Sequence, residues 1–134
     1  MCQFYEAGVQ TTCFISPIFP GITDVQAIID RAKHQCNLVW LENLNLRGDY
    51  RPVIMDWIHR NHPELDELYC RIYSKKDRSY WTALDKQLRE YTAKEGMLYI
   101  RDDDSKVSPH GQPPVVNNYF YHEEVKKSAK TGQK

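Results

Sequence analysis

Apolar positions change their period several times along the chain, and each change marks an element. From Gln10 to Ser16 the residues QTTCFIS are β-branched, aromatic or small, and a proline follows at once, which predicts a strand. Pro17, Pro20 and Gly21 then force a loop. Thr23 or Asp24 can cap the helix after it, because a side-chain oxygen there meets the first orphan amides. Between Val25 and Gln35 the apolar residues Val25, Ile28, Ile29 and Ala32 recur at helical spacing. Leu38 to Leu44, LVWLENL, is a second strand. Strand, helix and strand in that order make a βαβ unit, whose crossover is long enough for parallel pairing and right-handed by strong precedent.

Beyond Gly48 the period becomes mainly helical. Arg51 to His62 reads as an amphipathic helix with Pro52 in its first turn, Val53, Ile54, Trp57 and Ile58 on one side, and Pro63 as its stop. Leu65 to Tyr73 fits a helix or a strand equally well. Asp77 can cap a helix from about Arg78 to Glu95, buried along Trp81, Leu84, Leu88 and Tyr91 and closed by Gly96. Met97 to Ile100 predicts a short strand, RDDDSKVSPHGQPP a loop, and Val115 to Tyr121 a late strand, with a polar, lysine-rich tail after it. The expected division is 1–48 for the βαβ unit, 49–125 for an extension and 126–134 for a flexible tail.

Two parallel strands pose a structural problem. Such strands normally sit inside a larger sheet covered on both faces, so an isolated pair offers two unpaired edges. The later strands could close a small mixed sheet, or another chain could supply the neighbours. The expectation is that the edges need completion from outside, as a homo-oligomer or with a companion polypeptide.

Composition narrows the function classes. Lys plus Arg and Asp plus Glu are both 18, so the net charge gives no pull toward a polyanion. Aromatics at 12% suit a folded chain. The mean hydropathy of -0.68 and the lack of a long apolar run exclude a membrane span of the usual kind, and no secretion signal is recognisable, so a cytoplasmic protein is expected. Cys2, Cys13, Cys36 and Cys70 show no CxxC spacing and are read as free thiols, with Cys13 and Cys36 packing as small apolar residues. No metal site is expected from them. His59 and His62 lie near a helix end as cationic residues, and the run of aspartates at 102–104 lacks the spacing of a calcium loop.

The pair FISPIFPGITD and LVWLENLNLRGDY resembles the later strands of the radical SAM superfamily, in its spore photoproduct lyase-like, "DNA repair photolyase" branch. YRPVIMDWI, YSKKDRSYW and PPVVNNYFYHEE are similar to the C-terminal extension of that branch. The resemblance covers nearly the whole chain. It implies an α/β fold: a fragment of a partial (β/α)6 barrel, consisting of one βαβ unit plus a mainly helical C-terminal extension with a late strand. It also implies S-adenosylmethionine and a [4Fe-4S] cluster near the C-terminal strand ends of the complete enzyme. The CxxxCxxC loop that holds that cluster is missing here, so no cofactor is expected on this chain alone and no catalytic residue is assigned.

The same resemblance marks Ser16, Pro17, Pro20 and Gly21 after the first strand, and Glu42, Asn43, Asn45 and Arg47 after the second, as cofactor-binding or substrate-mouth positions. The plainer account is that PIFPG turns the chain while Asn43 and Asn45 bond to neighbouring loops. Glu42 stands out because a carboxylate among Val39, Trp40, Leu41 and Leu44 is costly to bury unpaired. It is expected to accept from Arg47, from a ligand amine or from water. An alternative function is a self-sufficient module that binds protein or nucleic acid through the aromatic, basic stretch 69–81.

Overall fold

The computed structural model describes residues 2–46, 48–103 and 106–120. The expected βαβ unit forms: strand β1 (Thr12–Ile18), helix α2 (Val25–Ala32) and strand β2 (Leu38–Asn43), preceded by a short helix α1 (Cys2–Glu6). Asp24 is the cap of α2, its carboxylate accepting from the Ala27 amide at 3.1 Å. Thr23 turns back instead, its hydroxyl accepting from the Phe19 amide at 2.9 Å, so the two candidate caps divide the work.

The extension is helical at first. α3 (Tyr50–Asn61) is followed by a 3₁₀ turn (Pro63–Leu65), a short helix α4 (Asp66–Tyr69) and a π turn (Cys70–Ser74), which settles the ambiguous stretch as helical. α5 (Ser79–Lys94) has no side-chain bond at its cap residue, Arg78. Asp77 acts one position earlier than expected, accepting from the Ser79 amide at 2.8 Å. Strands β3 (Tyr99–Arg101) and β4 (Val115–Asn118) complete the described chain. The tail from residue 121, including 126–134, lies outside the described residues.

All four strands are parallel, in the order β1-β2-β4-β3. The expectation that the βαβ pair lacks neighbours is thereby half corrected. β4 pairs with β2 from Leu38↔Val115 to Leu41↔Asn118 and closes that flank from within the chain. The outer flank of β1 stays open among the described residues.

Strand alternation then sorts the side chains into two faces. Cys13, Ile15, Val39, Leu41, Val116 and Tyr99 point toward α2 and α5 and join Val25, Ile29, Trp81 and Leu88 in the main core. A second, smaller cluster gathers Leu44, Leu46, Ile58 and Tyr69 where the extension meets the C-terminal end of β2. Neither cluster contains a residue from the opposite sheet face, which carries Thr12, Phe14, Ser16, Leu38, Trp40, Glu42, Val115, Asn117 and Tyr119.

Pro20 and Gly21 are explained by this packing. Pro20 is buried, and Gly21 has φ +74°, with its amide donating to the Tyr80 hydroxyl at 2.9 Å. A Cβ at Gly21 would lie 2.8 Å from Cδ2 of Leu65. Gly21→Ala is therefore expected to cost about 1–2 kcal/mol from left-handed backbone strain, with a smaller share from moving the Leu65 tip. A denaturation midpoint unchanged from the parent would remove this structural role.

Candidate functional site

The residues that converge lie at the C-terminal end of β1 and β2, on the face that neither α2 nor α5 covers. Ile15 pairs with Leu41 and Ile18 with Asn43, so Ser16 and Pro17 together oppose Glu42. Two residues against one is a β-bulge, which bends a strand and re-aims its side chains. Ser16 continues the register of Thr12–Ile15 against β2, and its hydroxyl lies 3.3 Å from Oε2 of Glu42. Oε1 of the same carboxylate accepts from the Trp40 indole N–H at 2.9 Å.

Glu42 is thus stabilised by two neutral donors, and the expected pairing with Arg47 lies outside the described residues. Each oxygen accepts one of these bonds, and a carboxylate has room for more. The group is half-buried, so a further N–H or O–H donor can reach it.

Beside it runs a line of aromatic rings, one from each of three adjacent strands. Tyr119, just past β4, stacks on Trp40 at 4.3 Å between centroids and 13° between planes. Trp40 meets Phe14 of β1 at 6.0 Å and 32°. Tyr119 is buried and its hydroxyl accepts from Nδ2 of Asn117 at 3.2 Å, whereas Phe14 at the far end is 58% exposed. The sequence marks Tyr119 only as one of many late aromatics and does not single out Phe14. The signal for Phe14 is the strand period: it lies one place from Cys13 and Ile15, which face the helical core.

Of the other candidates, Asn43 makes a contact within the fold and Asn45 makes one through its carbonyl. Nδ2 of Asn43 donates to the Phe120 carbonyl at 3.2 Å, where Arg78 also donates at 2.7 Å, so both fasten the chain after β4. The Asn45 carbonyl accepts from the Tyr50 hydroxyl. Tyr73 donates to the Leu44 carbonyl at 2.7 Å, and burial pushes its hydroxyl pKa well above the ordinary value. The structure therefore brings together Ser16 and Glu42 and assigns Pro20, Gly21 and Asn43 to packing.

The stretch 69–81 is arranged differently from a stacking platform. Its basic side chains Arg71, Lys75 and Lys76 are exposed, but Tyr69 is fully buried and Trp81 nearly so. The thiols are dispersed as well. Cys36 is buried, its pKa pushed up to about 11 by desolvation, Cys13 is half-buried on β1, and Cys70 lies in the π turn. Among the described residues no three His, Cys, Asp or Glu side chains gather as metal ligands. No helix among them is long and apolar enough to cross a membrane.

Comparison with known proteins adds one relative. The chain is similar to a protein of Methanocaldococcus jannaschii named uncharacterized protein MJ0683, 36% identical over 64 residues. The match covers 48% of this chain and 24% of the relative, so it spans about a quarter of the longer protein. No protein-family model matches, and no solved structure matches.

Proposed function

We propose that this chain forms one wall of a radical SAM-like barrel, of the spore photoproduct lyase-like kind, and is catalytically incomplete without a polypeptide segment that carries the cluster ligands. One observation carries the reading: an all-parallel sheet whose second face ends in a half-exposed carboxylate and an exposed ring. Parallel sheets are ordinarily covered on both faces. In a closed barrel that second face would be the interior, and Glu42 with Ser16 would lie at the mouth where ligands gather. The longer relative is consistent with a larger whole.

The residues present do not fit an iron–sulfur cluster, because the described thiols are scattered and Cys36 is held buried in the core. For S-adenosylmethionine the described residues that fit are Ser16 and Glu42, since Asn43 and Gly21 are engaged in packing. When bound in a completed enzyme it would supply the radical chemistry of the superfamily. This chain's share is to offer an acceptor for an ammonium or hydroxyl and an aromatic wall that excludes water.

The test is anaerobic reconstitution with iron and sulfide. Alone, the chain is expected to stay colourless, whereas a mixture with a CxxxCxxC-bearing companion should develop thiolate–iron absorption and cleave S-adenosylmethionine reductively. A stoichiometric brown cluster on the isolated chain would overturn the reading.

A further inference from the structure

The two edges of the sheet are built in opposite ways. β3 is three residues long and runs into Arg101, Asp102 and Asp103, the short, charged design that blocks further pairing. β1 is seven residues long, and from Ala7 to Thr23 the chain carries no Asp, Glu, Lys or Arg, in a sequence that is 27% charged. Among the described residues its guard is the bulge and Pro17 at the C-terminal end, which leaves Thr12 to Ser16 available.

Each face beside that edge exposes one apolar side chain. On one, the ring ladder ends on Phe14, 58% exposed. On the other lies Ile28 of α2, 38% exposed. Gln26 and Asp30 of α2 meet Gln87 and Tyr91 of α5, and helical spacing puts Ile28 on the opposite flank, toward the outside of β1.

We propose that a second copy of this chain takes the β1 edge, the two β1 strands pairing antiparallel about a two-fold axis at Phe14. The sequence is self-complementary about that residue. Thr12 opposes Ser16, Cys13 opposes Ile15 and Phe14 opposes itself, so hydroxyl meets hydroxyl, apolar meets apolar and ring meets ring, the pairings that stabilise antiparallel strands. A neutral edge also repels no copy of itself. An isologous contact of this kind closes as a dimer. Two four-stranded sheets become one, with helices α2 and α5 of both copies on one side and a continuous ring ladder on the other. The contact goes beyond the barrel reading and uses the edge that a companion would otherwise occupy.

Light scattering on the full chain through the micromolar range tests this, together with hydrogen exchange of residues 12–16. The expected result is twice the 15.8 kDa chain mass, with β1 amides protected. Phe14→Lys puts like charges directly opposite at the axis and is expected to abolish the dimer and that protection. Its circular dichroism should match the parent, because Phe14 is exposed on the single chain, and its melting midpoint should fall to that of the parent diluted below dimerisation. A monodisperse monomer overturns the proposal, as does a dimer that Phe14→Lys leaves intact, or an open-ended series of oligomers. Any of these leaves the barrel reading standing, since that is decided by iron absorption.

Discussion

Trp81→Ala is expected to bring the chain to the brink of unfolding. Trp81 is 1% exposed and is the largest side chain fully buried in the main core. Its ring lies 5.7 Å from Phe120, which follows β4, and edge-on to Tyr80 at 5.2 Å. Through these neighbours it joins α5 both to the chain end of the sheet and to the loop at Gly21. Emptying such a site loses the transfer free energy of the ring and leaves a cavity, about 3–5 kcal/mol together. Against a total stability of about 5–15 kcal/mol for a domain, little remains. Urea denaturation followed by circular dichroism should show a much lower midpoint with an unchanged slope. Trp81→Phe, which retains a ring, is expected to recover most of the loss. A cost under about 1 kcal/mol for the alanine variant would mean that the core is not centred on this residue.

Asn37→Ala should have the next largest effect, by a different cause. Asn37 is 2% exposed and immediately precedes β2. Its Oδ1 accepts from the Thr11 amide at 2.9 Å, and its Nδ2 donates to the Ser108 carbonyl at 2.9 Å, with Nδ1 of His110 at 3.2 Å. One side chain thus binds the chain entering β1 to the loop that leads into β4. Alanine strands a donor and an acceptor in a half-buried setting, each costing about 1–3 kcal/mol, so about 2–3 kcal/mol in all at the low end of that range. The loop should also loosen locally, because His110 stacks on Tyr5 at 4.4 Å and the Gly111 amide donates to the Tyr5 hydroxyl at 2.8 Å. Faster amide exchange over 106–112 checks this. Asn37→Asp keeps the acceptor for Thr11 but sets a buried carboxylate oxygen against the Ser108 carbonyl, and should cost at least as much as alanine. Equal exchange in parent and alanine variant would sink the argument.

The βαβ unit was legible because three signals agreed there: a β-branched run, proline and glycine punctuation, and an acidic cap before a helical stripe. α3 shows where periodicity runs out. Val53, Ile54, Trp57 and Ile58 were expected on one buried side, but Ile58 is buried and Ile54 half-buried, while Val53 and Trp57 are 66% and 46% exposed. The helix carries two adjacent apolar stripes, and spacing alone cannot say which one meets Leu44 and Leu46. Sheet order was equally hidden. Insertion of β4 between β2 and β3 is decided by packing of Val116 and Phe120 on Trp81, contacts between residues far apart in sequence. At the site, Glu42 was singled out by its apolar neighbours, yet its donors were missed: the indole lies two residues away, and Ser16 meets it only through the register of β1 on β2, which sequence does not give.

The central place held by β4 has a temporal consequence. β2 and β3 share no pairing of their own, so no strand ladder joins the two sides of the sheet until residues 115–118 lie between them. The βαβ unit and β3 become parts of one sheet only when that segment docks, across a long stretch of sequence. Such long-range closure is slow and makes the insertion of β4 the expected late step of folding.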